Sequence, residues 1–214
     1  MYNILKARLR INKYINKTEL QFSERLSKLY NANIFLKRED LQKTRSFKIR
    51  GALNKIINIK DMKNGIVCAS AGNHAQGVAF SSKLLDINCD IYIPQTTPLQ
   101  KVNSINKYNI NLYKYGYAFN ETLKKAIEYS IEKNKVFIHP YDDIDIIYGQ
   151  GTIGLEILDE ITPDIILSGV GGGGLISGIS LSCEKENIDI IGIEPVGCAN
   201  LYHSLKSNKI VKLK

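Results

Sequence analysis

Lys48 stands in the run Ser46-Phe47-Lys48-Ile49-Arg50-Gly51-Ala52, at the start of a predicted helix. Ser46 suits an N-cap, which puts Lys48 in the first turn, where the helix dipole disfavours a cation. A lysine so placed tends toward the neutral amine, the form that makes a Schiff base or accepts a proton. A solvated surface lysine would carry the same local signature, so this run alone does not select the chemistry. A second run, Ala69-Ser70-Ala71-Gly72-Asn73-His74-Ala75-Gln76-Gly77, follows the apolar stretch GIVCA (65–69). Its small residues let a ligand approach the backbone, helix-start N–H groups can hold a carboxylate, and Asn73 and His74 add side-chain donors. The alternative is a plain Asn-Gly turn with His74 as a satisfied helix residue.

The third run is Gly169-Val170-Gly171-Gly172-Gly173-Gly174-Leu175. Four consecutive glycines in an ordered turn cost backbone entropy. The return is a nest of N–H groups around a phosphate at a helix N-terminus. Gly169, Gly171 and Gly174 also satisfy G-x-G-x-x-G, and Glu194 ends the following strand. That is the dinucleotide fingerprint with its ribose-binding acid, so an NAD-dependent oxidoreductase using Gly169–Gly174 stays open. Against it, the fingerprint usually opens its domain, and it leaves Lys48 and Asn73 without a role.

The elements that must position these runs alternate along the chain. Strands are expected at 33–37, 65–69, 89–94, 110–115, 135–139, 164–169 and 188–194. Helices are expected at about 47–59, 74–85, 98–107, 120–133 and 151–161, and from the glycine turn to about 186. The strands are continuous apolar runs, the signature of parallel sheets buried on both faces. The expected fold class is therefore α/β. An N-terminal helix with Tyr2, Leu5 and Leu9 facing a core is also expected.

The composition of the 214 residues bounds the rest. The 44% hydrophobic share can fill a core. No window approaches eighteen uninterrupted apolar residues, which excludes a helical membrane span, and the N-terminus lacks a signal-peptide pattern. The reading is cytoplasmic. Cys68, Cys89, Cys183 and Cys198 share no C-x-x-C spacing, so neither a metal site nor a disulfide framework follows. The net charge of +8 is uneven, with thirteen Lys/Arg against four Asp/Glu in residues 1–50. No basic run is interleaved with stacking aromatics, so a solvated basic surface is expected rather than a nucleic-acid interface.

In this order, S-F-K-I-R-G-A, A-S-A-G-N-H-A-Q-G and V-G-G-G-G-L resemble the threonine dehydratase branch of the fold-type-II pyridoxal-phosphate enzymes. LKREDLQ (36–42), GVAFSSKL (77–84) and HPYDDIDIIYGQGTIGLEIL (139–158) agree with it. The resemblance covers nearly the whole chain, and the three runs together are far more specific than any one. It implies two lobes with parallel-type sheets flanked by helices, as in the tryptophan synthase β family. The large lobe would span 1–60 and 142–214, and the small lobe 61–141.

By the resemblance, Lys48 is the Schiff-base lysine and general base, and Asn73 bonds the cofactor's ring hydroxyl. Gly171, Gly172, Gly173, Gly174 and Leu175 cradle the phosphate. Ser70, Ala71, Gly72, Asn73 and His74 bind the substrate carboxylate. The implied cofactor is pyridoxal 5'-phosphate. The implied reaction is dehydration of L-threonine followed by hydrolytic release of ammonia, with serine as secondary substrate, giving 2-oxobutanoate for isoleucine synthesis. Alanine at position 71 has no titratable group, where racemases of the family carry a second serine as opposite-face base.

The sequence departs from the pattern in three places. Glu19 stands where the family commonly has proline, and Asn200 lies near the position of an aspartate that would join Glu194 in a cation site, so no metal is expected. The family's catalytic region also continues past residue 214, so the large lobe is expected to be incomplete and the regulatory domain absent. The expected partners are a small amino-acid substrate, further copies of the chain and a separate C-terminal half. A non-catalytic remnant that keeps the cofactor is the other reading the length allows.

Overall fold

The computed structural model describes residues 1–211. Helix α1 (Tyr2–Ile11) buries Ile4, Ala7 and Ile11. The expected stripe is instead outward, with Tyr2 and Leu9 about 68% and 73% exposed. Packing decides between the two stripes. Ile4 Cδ1 lies 2.8 Å from where a Cβ on Gly151 would stand, a close seat that a bulkier stripe would overfill.

Strand β1 (Leu20–Phe22) and strand β2 (Phe35–Lys37) pair antiparallel, Leu20 opposite Lys37, around helix α2 (Glu24–Tyr30). This corrects the expectation of parallel sheets throughout. Asn31, in the left-handed region at φ 50°, ends α2 and turns the chain back beside its own start.

Helix α3 (Lys48–Asn58) follows, then a four-stranded sheet. Its strands are β3 (Ile66–Ala69), β4 (Cys89–Ile93), β5 (Asn111–Lys114) and β6 (Val136–Phe137). They run parallel in the order β5-β4-β3-β6. The crossovers carry helices α4 (Asn73–Leu84), α5 (Leu99–Asn106) and α6 (Phe119–Glu132). The pleat sorts the apolar runs by face. Ile66 and Cys68 meet Ala75, Val78 and Ala52 on one side, while Val67 and Ala69 meet Ala126 on the other.

Helix α7 (Ile144–Leu158) begins two turns before the expected start at 151. Asp143 caps it, its carboxylate accepting from Asp145 and Ile146 N–H. Gly149 and Gly151 weaken the helical signal of this stretch. They are required because a Cβ on Gly149 would lie 2.5 Å from the Arg50 carbonyl oxygen of α3. Strand β7 (Ile165–Gly169), helix α8 (Gly174–Ser182), strand β8 (Asp189–Ile193) and helix α9 (Asn200–Ser207) complete the described chain. Strands β7 and β8 pair in parallel. Their inner face packs Ile166 against Ile179 of α8 and Cys183 at its C-cap. Ile165, Leu167, Ile191 and Ile193 are exposed.

Between α3 and α7 lies a buried ionic cluster. Arg50 donates to both oxygens of Glu39 and both oxygens of Glu156, and Lys37 pairs with Glu156 at 2.7 Å. Burial alone would raise the Glu156 pKa, but the hydrogen bonds and charges of Arg50 and Lys37 outweigh it and hold the carboxyl below its usual range. Its contribution to stability is then present above the unfolded value, about 4.3, and lost as pH falls through the lower folded value. Arg50→Met should cost about 3–5 kcal/mol in urea denaturation at pH 7 by stranding buried charge. Glu156→Gln should flatten the loss of stability of the parent protein below about pH 4.

Candidate active site

Three helix N-termini supply the singled-out residues: α3 begins at Lys48, α4 at Asn73 and α8 at Gly174. Helix starts leave N–H groups without intrahelical partners and carry positive potential, so each suits an anion.

Lys48 is the first residue of α3. Ser46 does not cap the helix from the N-cap position. Its hydroxyl instead accepts from Lys48 N–H at 3.3 Å, and Phe47 occupies the cap. The Lys48 side chain is half-buried, and its Nζ donates to the Pro140 carbonyl oxygen at 2.8 Å. Burial lowers the Lys48 pKa, favouring the neutral amine. Helix α4 closes on this residue from one side. A Cβ on Gly77 would meet the Lys48 carbonyl oxygen at 3.1 Å.

The turn before α4 leaves donors open. Gly72 N–H is held by the Ser70 hydroxyl at 3.1 Å, and Ser70 N–H by the Tyr92 carbonyl. The N–H groups of Ala71, Asn73 and His74 make no hydrogen bond among the described residues. Asn73 is exposed and its amide is equally open. His74 departs from the expectation of a side-chain donor at the site. Its imidazole is buried and its Nε2 meets the Ile138 carbonyl oxygen at 3.0 Å. Burial drives its pKa down to about 3, so it stays neutral. Only its backbone N–H faces the turn.

The glycine turn after β7 has the same character. Gly173 sits at φ 84°, which an L side chain rarely adopts, and turns the chain into α8. The N–H groups of Gly171, Gly172, Gly173, Gly174 and Leu175 make no hydrogen bond among the described residues. Beside Gly171 and Gly173 the space is open, with no atom within 4 Å of a Cβ built there. On the other side the turn rests on Tyr141. A Cβ on Gly172 would strike its ring, and one on Gly174 would lie 2.9 Å from its carbonyl oxygen.

One short segment joins all three. Ile138 receives His74 of the α4 turn, Pro140 receives the Lys48 amine, and Tyr141 backs the glycine turn. His139 holds the segment's shape, its Nδ1 accepting from Asp142 N–H at 2.7 Å and Tyr141 N–H at 3.3 Å. Neither Pro140 nor Tyr141 carries a role in the sequence reading. The signal was available, because the segment leaves the carboxyl end of β6, where ligand sites of parallel sheets lie.

The arrangement fits an aldehyde-bearing phosphate ester. It offers a lysine amine of lowered pKa, an anion cradle of open N–H groups, and a second N–H array for a carboxylate. Glu194, the acid that the dinucleotide reading needs, instead accepts from the N–H groups of Leu201 and Tyr202 at the start of α9, at 3.0 and 2.8 Å. Among the described residues, no group of three or more His, Cys, Asp and Glu is placed to hold a metal ion.

Comparison with known proteins agrees. The family described as pyridoxal-phosphate dependent enzymes matches residues 11–214. The chain belongs to this family. It is 44% identical over 220 residues to the protein named L-threonine dehydratase biosynthetic IlvA of Bacillus subtilis (strain 168), covering 99% of this chain and 52% of that one. Processed threonine deaminase isoform 2 of Solanum lycopersicum superposes with a TM-score of 0.95 at 36% identity, covering 100% of this chain and 64% of that one. Maize serine racemase gives a TM-score of 0.95 at 33% identity, covering 99% and 66%. The chain thus spans about half the length of the curated relatives it matches. The oxidoreductase reading is set aside. Among the described residues, no helix is long and apolar enough to cross a membrane.

Gly172→Ala should drive a methyl group into Tyr141 and weaken pyridoxal-phosphate binding by on the order of tenfold or more, read by equilibrium titration of cofactor absorbance. Gly169→Ala, where open space surrounds the added methyl, should leave binding within about threefold.

Proposed function

We propose that this chain carries the cofactor-linking and substrate-holding part of a threonine ammonia-lyase. It releases 2-oxobutanoate and ammonia from L-threonine, accepts L-serine less well, and serves isoleucine synthesis. The observation that carries the reading is the Lys48 amine, held at the Pro140 carbonyl of the segment that also contacts the α4 turn at Ile138 and the α8 turn at Tyr141. The names of the relatives supply the substrate.

In this reading pyridoxal phosphate, when bound, supplies the electron sink that makes the substrate α-proton acidic. Lys48 would hold the cofactor through its amine, and its Nζ would accept the substrate α-proton. Burial lowers its pKa, which favours the neutral amine that accepts a proton. The N–H groups of Gly171–Leu175 hold the phosphate, and the Asn73 amide holds the ring hydroxyl. The turn Ser70–His74 orients the substrate carboxylate through backbone N–H groups, with His74 acting from the main chain alone. Ala71 offers no second base, which favours elimination over racemisation.

We further propose the lobe division at 1–60 with 142–214 and 61–141, a homo-oligomeric state and a cytoplasmic setting. The half-length match favours a need for the remaining half of the relatives' length, supplied as the same or a second polypeptide. The test is formation of 2-oxobutanoate from L-threonine, by this chain alone and together with the matching second half of the Bacillus subtilis relative. Lys48→Ala should lower turnover by roughly a thousandfold or more and abolish the cofactor's protein-linked absorbance band. Retention of that band in Lys48→Ala would refute the assignment of the lysine. Cofactor binding without product in either arm would favour the non-catalytic reading.

A further inference from the structure

Arg50 lies two residues beyond Lys48 on α3 and has no part in the site as described. Its guanidinium is fully buried, and every donor nitrogen is engaged. Nε and Nη2 donate to Glu39 at 2.8 and 2.7 Å, Nη1 and Nη2 to Glu156 at 2.6 and 2.9 Å, and Nη1 also to the Thr152 hydroxyl at 3.1 Å. With Lys37 on Glu156, two cations and two carboxylates form a neutral, closed set. Burial would lower the guanidinium's pKa, but both carboxylates more than offset it, so the charge is permanent.

The geometry of this clamp bears on Lys48. Two paired forks fix the orientation of a planar guanidinium as well as its distance. Its anchors come from the Glu39–Leu41 turn and from the C-terminal half of α7. The other end of α7 begins just after Pro140 and Tyr141, the segment that receives the lysine amine. Positions 48 and 50 lie about 200° apart around a helix axis, so fixing one direction fixes the other. The close backbone approach of Gly149 to Arg50 and Gly51 sets the separation of α3 and α7 but leaves rotation to the side chains.

We propose that Arg50 is a positioning residue for Lys48: clamped to Glu39 and Glu156, it sets the rotation of α3 that delivers the lysine amine to the Pro140 carbonyl between the two anion-holding turns. The proposal rests on Lys48 as the cofactor-linking residue.

The test compares Arg50→Lys, which keeps the charge but not the fork, and Glu39→Gln, which removes one carboxylate, with Ile179→Ala. Ile179 lies in the separate core under α8 and controls for lost stability alone. Two readouts are taken on protein shown to be folded by circular dichroism. The first is the titration of Lys48 in cofactor-free protein by reductive 13C-methylation and NMR, assigned by its absence in Lys48→Ala. It is followed above pH 7, where His74 and His139, both depressed by burial, are already neutral. The second is the dissociation constant for pyridoxal phosphate.

Arg50→Lys and Glu39→Gln should move the Lys48 titration up toward that of a solvated lysine and weaken cofactor binding by on the order of tenfold or more. Ile179→Ala should lower the melting temperature and leave both unchanged. If the clamp variants behave like Ile179→Ala, the proposal is overturned. Should Arg50→Lys not fold, Glu39→Gln decides alone. A cofactor band that survives Lys48→Ala would remove the functional reading, while the Lys48 titration would still decide the positioning claim.

Discussion

The hydrogen bond from the Lys48 amine to the Pro140 carbonyl spans ninety-two positions of sequence and holds the site in one piece. It joins the start of α3 to the exit of β6. That exit also accepts the α4 turn through His74 and supports the α8 turn through Tyr141. Burial of an amine at this point favours its neutral form, and the segment that receives it also contacts the α4 and α8 turns. A charged amine would be poor as a nucleophile, and a solvated one would be poorly aimed, so the single contact serves reactivity and direction together.

Holding that contact requires unusual closeness between helices. Gly77 lets α4 approach the first turn of α3, and Gly149 lets α7 lie against the Arg50 and Gly51 backbone. Glycine in a helix costs roughly 1 kcal/mol relative to alanine, so these positions trade local helix preference for tertiary proximity. The buried Arg50–Glu39–Glu156 cluster makes a similar trade. It desolvates three charged groups, and an apolar substitute could be at least as stable, so its justification lies in orientation rather than in net stabilisation.

The two parallel sheets differ in how far they are covered. The sheet β5-β4-β3-β6 has helices on both faces and a continuous core. Strands β7 and β8 have α8 on one face and exposed isoleucine and leucine on the other. A parallel sheet built of continuous apolar strands is ordinarily covered on both sides. The covered sheet presents the α4 turn, and the half-covered sheet presents the glycine turn.

Sequence alone determined the α/β class and the strands from 65 onward and singled out the three turns, because each rests on local rules. These rules are apolar run length, small residues at strand ends and helix starts. Lys48, Asn73 and Gly171–Leu175 were therefore legible as types at spacings. The tertiary structure decided what locality cannot encode. Which stripe of α1 is inside depends on the glycine face of α7, and the antiparallel pairing of β1 with β2 depends on where α2 ends. The direction of the His74 imidazole depends on a carbonyl sixty-four residues away, and its burial there turns a candidate donor into a strut. The roles of Pro140, Tyr141 and Arg50 are also tertiary. Each acts by touching residues distant in sequence, and a hydrogen bond or close contact across such separations leaves no periodic trace in the chain.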